Sequence, residues 1–200
     1  MKIIVIGLGL IGGSIAKSLS NSKNHEIFAF DIDQPSIRNA LDNKSIAGSI
    51  NALDDLRSTE FEDSLVIIST PPNVSIEVFQ SLDFLFNSSV TITDTSSAKN
   101  SLHKTLKELN FPKNIIFSHP VAGSHLSGEI NSSSGLFEGK STVLSYYDSA
   151  KSIHVNRVTD LWELLGSKVT FLDVELHDQI FAYTSHLPHV VAYALFYTLK

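Results

Sequence analysis

The stretch Gly7-Leu8-Gly9-Leu10-Ile11-Gly12 constrains the fold of this chain more than any other. It follows an unalternating apolar run at residues 3–6 and opens directly into a helical pattern at 14–19. Four consecutive apolar residues suit a strand buried on both faces, as parallel sheets require. The three glycines then have separate tasks. Gly7 allows a tight turn, Gly9 lets bare backbone approach a ligand, and Gly12 lets helix and strand pack closely. Leu10 and Ile11 open the helix, where unpaired N–H groups and the helix dipole favour an anion. Strand, glycine loop and helix in this order are the geometry that holds the diphosphate of a dinucleotide.

The same texture repeats. Apolar runs recur at 27–30, 65–69, 90–93, 115–117 and 142–145, with a weaker one at 169–172. Helical patterns lie between them at 35–41, 73–85 and 97–109. Alternation at this spacing predicts a doubly wound, Rossmann-type, mostly parallel sheet of the α/β class. From about residue 153 the pattern becomes helical, at 153–166 and 174–200, around one short strand. The expected organisation is a dinucleotide-binding domain over 1–150 and a helical extension over 151–200, the start of an all-helical region. Pro188 should kink the last helix, since proline removes a helix hydrogen bond. That helix carries an apolar face at Val190, Val191, Ala194, Leu195 and Thr198 and has no stop signal before Lys200. It is expected to pack on a partner, on the sheet domain, or on a segment that follows.

Composition narrows the function. The chain has 200 residues, 15 basic against 21 acidic side chains and a formal net charge of −6. No basic stripe is available to track nucleic-acid phosphates. With no cysteine, thiolate metal sites, iron–sulfur clusters and cysteine nucleophiles drop out together. No apolar run approaches the ~20 residues that span a bilayer. The amino terminus, with its ordered glycines and no cleavage site, reads as mature structure rather than a signal peptide.

Asp31 ends the second strand, 19 residues after Gly12. A carboxylate there accepts from ribose hydroxyls and repels a 2′-phosphate, which favours NAD over NADP. Ser69, Thr70 and Pro71 end the next strand and should line the nucleotide cleft, because ligands bind beyond the carboxyl ends of such strands. Three segments should meet at the reacting end: residues 94–99, whose serines suit a helix cap, residues 118–124, and residues 184–189. His119 ends a strand, is held by Pro120, and titrates near neutrality, so it suits proton exchange beside the cofactor. His119, His125, His186 and His189 could instead gather around zinc. No His-Glu-x-x-His motif exists, and zinc leaves the glycine loop unexplained, so no metal is expected. His25, His103, His154 and His177 read as surface or structural, with slight interest in His177-Asp178 at a helix start.

Taken in order, Gly7–Ser14, Asp31, Asp94–Lys99, His119–Ser124, Gly135–Lys140 and Ser185-His186-Leu187-Pro188-His189 resemble the prephenate/arogenate dehydrogenase family. The resemblance covers nearly the whole chain. It implies NAD-dependent oxidative decarboxylation of prephenate to 4-hydroxyphenylpyruvate, or of arogenate to tyrosine, in tyrosine biosynthesis. It further implies that His119 assists deprotonation of the substrate's ring hydroxyl and that Ser97 contacts the same hydroxyl. His186, His189 and Lys99 become substrate-binding residues. The expected partners are the small-molecule substrate and a second copy through the C-terminal helix, in the cytoplasm, with no nucleic acid or membrane. A substrate carboxylate also needs a cation, for which Lys99, Lys140 or a partner's residue are the candidates. The rival readings are a non-catalytic NAD-binding module and a related β-hydroxyacid-type dehydrogenase.

Overall fold

The structure is a computed structural model that describes residues 1–20, 22, 24–123 and 128–199. Its centre is one eight-stranded sheet. The strands are β1 (Lys2–Ile6), β2 (Glu26–Phe30), β3 (Gly48–Ser49), β4 (Leu65–Ile68), β5 (Thr91–Asp94), β6 (Ile115–Pro120), β7 (Ser141–Ser145) and β8 (Lys168–Phe171). Their spatial order is β3-β2-β1-β4-β5-β6-β7-β8, and every pairing is parallel except β6 with β7. All seven expected strands form. The two-residue β3 was not anticipated, because Gly48 and Ser49 carry no apolar signal.

Strand periodicity builds two cores. Ile3 and Val5 of β1 face one layer with Ile15, Ala16, Leu161 and Trp162. Ile4 and Ile6 face the other with Val78, Phe79, Leu102 and Leu106. Both faces of each central strand are therefore dry, which is why these strands read as continuous apolar runs. The covering helices are α1 (Leu10–Leu19), α2 (Gln34–Asp42), α3 (Pro72–Ser81), α4 (Asn100–Glu108) and α5 (Ser152–Leu164). Asp33 caps α2 by accepting from the Ser36 N–H, and Pro35 sits in its first turn.

The sheet continues beyond residue 150. Helix α5 buries Trp162 in the first core, and β8 pairs in parallel with β7. The helices from Val174 onward follow the last strand, and Val174 itself still packs in the second core. These are α6 (Val174–Phe181), a π-helical turn (Ala182–His186) and α7 (Leu187–Thr198). The expected break at Pro188 takes this form. Proline has no N–H to offer the carbonyl four residues back, and the wider turn just before it absorbs the mismatch. The apolar face of α7 does not pack on the sheet: Val190, Val191 and Leu195 are all exposed. Among the described residues, no helix is long and apolar enough to cross a membrane.

Candidate active site

The glycine loop sits above the carboxyl end of β1, between β2 on one side and β4 on the other. Gly7 has a left-handed φ of +94°, and a side chain there would come within 2.6 Å of the Ser69 carbonyl oxygen. A methyl on Gly12 would overlap the Gly7 carbonyl oxygen. Both glycines are thus required by the fold. Gly9 is different, because among the described residues a Cβ there would meet nothing within 4 Å. Its bare backbone borders open space at the start of α1, where Leu10 and Ile11 stand in the first turn and no side chain among the described residues caps the helix. An uncapped N-terminus of this kind leaves N–H groups for an anion.

Asp31 has two tasks. One carboxylate oxygen accepts from the Leu8 N–H at 2.6 Å and the other from the Asp33 N–H at 2.8 Å. The carboxylate locks the glycine loop and keeps lone pairs for a further donor, since its two oxygens offer about four acceptor sites. Asp31, Gly7, Gly9, Ser69, Thr70 and Pro71 together line a mostly apolar cleft of 330 Å³. All six were read from the sequence as cofactor residues.

At the ends of β5 and β6 a buried polar network fixes the reacting side. Asp94 accepts from the Ser96 N–H at 3.1 Å and from the Ser118 N–H at 3.3 Å. The Lys99 ammonium donates to Asp94 and to the Ser118 carbonyl, both at 2.6 Å. Lys99 is 1% exposed. Burial pushes its ammonium below the ordinary value, against the pull of Asp94. The reading of Lys99 as a substrate ligand is therefore corrected: its charge is committed beneath the site, joining two strand ends. Lys140 is exposed on the approach to β7. The serines do not cap α4 either. Its leading N–H groups, from Lys99 and Asn100, go to the Asp178 carboxylate at 2.7–3.0 Å, and Ser97 is left exposed in the turn.

His119 lies at the end of β6 and is buried. Its Nδ1 is 2.9 Å from His177 Nε2, and His177 Nδ1 is 2.7 Å from Asp178 Oδ1. The Phe181 ring packs on both imidazoles, at centroid distances of 4.4 and 4.7 Å. Burial first, then electrostatic interactions with Lys99, His177 and His186, push the His119 pKa down to about 3, with Asp178 opposing. The imidazole is neutral across the physiological range and can act as a base. Sequence reasoning gave His177 and Asp178 only slight interest and assigned them no role. The signal available was an adjacent His-Asp pair one turn into a capped helix.

His186 stands near enough to interact electrostatically with His119, whereas His189 is exposed and its Nδ1–H donates to the Ser185 carbonyl. His154 is structural as read, buried against Thr91 at 2.7 Å. His125, one of the four histidines weighed for zinc, lies outside the described residues. Among the described residues no three His, Asp or Glu side chains gather as metal ligands do.

Comparison with known proteins agrees with this geometry. The family model described as prephenate dehydrogenase, nucleotide-binding domain, matches residues 15–171. The one described as prephenate dehydrogenase, dimerization domain, matches residues 173–200. A cyclohexadienyl dehydrogenase of Zymomonas mobilis is 31% identical over 194 residues, covering 96% of this chain and 65% of the relative. A prephenate dehydrogenase of Lactococcus lactis is 29% identical over 197 residues, covering 97% of this chain and 52% of the relative. The crystal structure of prephenate dehydrogenase from A. aeolicus, in complex with hydroxyphenyl propionate and NAD+, superimposes with a TM-score of 0.89. It shares 33% identity and covers 100% of this chain and 69% of that one. The chain thus spans between about half and two thirds of the curated relatives it matches. Glycine loop, strand-end histidine and fold all point the same way: the chain belongs to the prephenate dehydrogenase family.

Proposed function

We propose that this chain carries out the NAD-dependent oxidative decarboxylation of prephenate to 4-hydroxyphenylpyruvate, or of arogenate to tyrosine. The observation that carries the reading is a neutral, buried imidazole, His119, on the same sheet edge as an open glycine cradle. The cradle fits a dinucleotide, since Gly9 is bare where the fold does not require it. Gly7, Gly9, Leu10, Ile11 and Gly12 would hold the diphosphate, and Asp31, Ser69, Thr70 and Pro71 the nucleoside. Asp31, followed in sequence by Ile32 and Asp33 and not by an arginine, selects against a 2′-phosphate. When bound, NAD supplies the hydride acceptor. His119 takes the proton of the ring hydroxyl as hydride leaves the carbon bearing it, and loss of the ring carboxylate leaves an aromatic product. Ser97 and His186 stand at the substrate end, with His189 further along the same helical segment.

Two units share this work. The nucleotide-binding body runs to Phe171 rather than to residue 150, and the helical unit starts at Val174. The exposed apolar face of α7 fits a homodimer built through that unit, in a cytoplasmic enzyme. A non-catalytic NAD-binding module is the second reading. The burial of Lys99 favours it, since a dianionic substrate then lacks that cation.

The test is NADH formation from prephenate and from arogenate, followed by absorbance, for the protein and for His119→Asn. Turnover of either substrate that His119→Asn abolishes while NAD binding is kept supports the enzyme. NAD binding with no turnover of either supports the module. Equal loss of binding and turnover in the variant would make His119 a structural residue.

A further inference from the structure

We infer that His177 and Asp178 are positioning residues that set the tautomer of His119, through an Asp178–His177–His119 chain of hydrogen bonds, so that Nε2 of His119 is the bare, proton-accepting nitrogen. The inference rests on the reading of His119 as the base.

The chain of logic starts at the carboxylate. Asp173 caps α6 by accepting from the Glu175 and Leu176 N–H groups, which fixes the first turn of the helix. His177 and Asp178 follow as neighbours. His177 is fully buried. Asp178 reaches the start of α4, where it accepts from the Lys99 and Asn100 N–H groups. Burial works to raise the Asp178 carboxyl, but the hydrogen bonds from Lys99, His177 and Asn100 outweigh it and hold the group below its ordinary value. An ionised carboxylate only accepts. His177 Nδ1, 2.7 Å away, must therefore carry the hydrogen. Burial lowers the His177 pKa, so the ring is neutral and its Nε2 is bare. A bare Nε2 accepts, and the only donor it can meet 2.9 Å away on His119 is Nδ1–H. Neutral His119 then has one nitrogen left, Nε2, and it carries no hydrogen.

The consequence for the reaction is direct. The O–H bond of the substrate breaks, its electron pair stays on oxygen, and a new Nε2–H bond forms on His119. The resulting imidazolium keeps its Nδ1–H on His177 and feels the Asp178 charge behind it. Among the described residues, Asp178 is the group acting on His119 that favours its charged form; burial, Lys99, His177 and His186 all oppose it. The Phe181 ring holds both imidazoles in place.

The experiment is a long-range proton–nitrogen NMR correlation on histidine-labelled protein, which reads the tautomer without substrate or cofactor. The expected result is hydrogen on Nδ1 of both His119 and His177; hydrogen on Nε2 of His119 would overturn the inference. In Asp178→Asn, the amide oxygen still accepts from the α4 N–H groups, but the NH₂ now donates to His177 Nδ1. Both tautomers should invert, and kcat should fall at least 100-fold with KM for substrate and NAD within threefold. The same exchange costs about 10⁴-fold in the Ser-His-Asp triad. An inverted tautomer with unchanged kcat would also overturn the inference. Should Asp178→Asn fail to fold, His177→Gln, whose amide oxygen can accept from His119 Nδ1–H, should retain more activity than His177→Leu. Equal activity in those two would count against the chain. If the unaltered protein turns over neither substrate, the assigned reaction fails while the NMR result still decides the tautomer.

Discussion

Replacing Gly9 by alanine separates what the fold needs from what a ligand needs. Gly9 has φ −69° and ψ −162°, an extended conformation open to any residue. The added methyl meets no atom of the described residues within 4 Å. Folding should therefore be unharmed. Gly→Ala at a compatible position stabilises by about 0.4–1 kcal/mol, because the unfolded chain loses freedom. The same methyl stands in the open space beside the first turn of α1, where the diphosphate of NAD is proposed to lie. Crowding a packed contact by one carbon costs about 1–3 kcal/mol. At roughly 1.4 kcal/mol per factor of ten, NAD should bind about 5- to 150-fold more weakly. Gly12→Ala is the control, since its methyl overlaps the Gly7 carbonyl, a backbone atom that cannot swing aside. It should lose stability and binding together. Thermal unfolding paired with calorimetric NAD titration reads both quantities. Unweakened NAD binding in Gly9→Ala, at unchanged stability, would refute the placement of the diphosphate over this loop.

Two further outcomes follow from the buried charges. Lys99→Met strips the ammonium from Asp94, which is 0% exposed, and leaves a buried carboxylate without its cation. Breaking such a pair costs about 3–5 kcal/mol, and adding Asp94→Asn should return most of it; urea unfolding measures both, and a loss below about 0.5 kcal/mol would mean that the pair does not hold the strand ends together. Stability should also fall as pH drops below the ordinary histidine value of 6.5. His119, His154 and His177 are all depressed by burial, so the unfolded chain takes up protons there that the fold refuses. For His119 the window runs from 6.5 down to about 3. Each histidine contributes a slope of up to about 1.4 kcal/mol per pH unit, with His119 and His177 titrating as a pair. Asp178, held below its ordinary carboxyl value, adds to the loss at lower pH still. Urea midpoints that stay flat between pH 7.5 and 5 would contradict this.

What the sequence discloses depends on how far a signal reaches along the chain. The glycine loop, the apolar strands and Asp31 are local patterns, and local sterics and burial decide them; each appears where its pattern placed it. His119 was legible for a related reason. In a doubly wound sheet every strand end points to one edge, so a histidine closing a strand is delivered to the site by topology alone. Lys99 shows the limit. Asp94 lies only five residues before it, and the pair was visible, but an exposed cation and a buried strut look alike until the burial of β5 and β6 removes water from between them. The capping of α4 was out of reach for a stricter reason. Three serine or threonine side chains, Thr95, Ser96 and Ser97, stood just before its start as ordinary caps, yet the carboxylate that binds its first N–H groups comes from Asp178, 79 positions further on. His177 is hidden in the same way, since its role exists only in relation to a ring 58 positions earlier. The residues that sequence reasoning missed are thus the ones whose chemistry is conferred by a distant neighbour. A histidine with no local context is weak evidence of a bystander: in a fold that gathers strand ends, the groups that tune a base need not adjoin it in the chain.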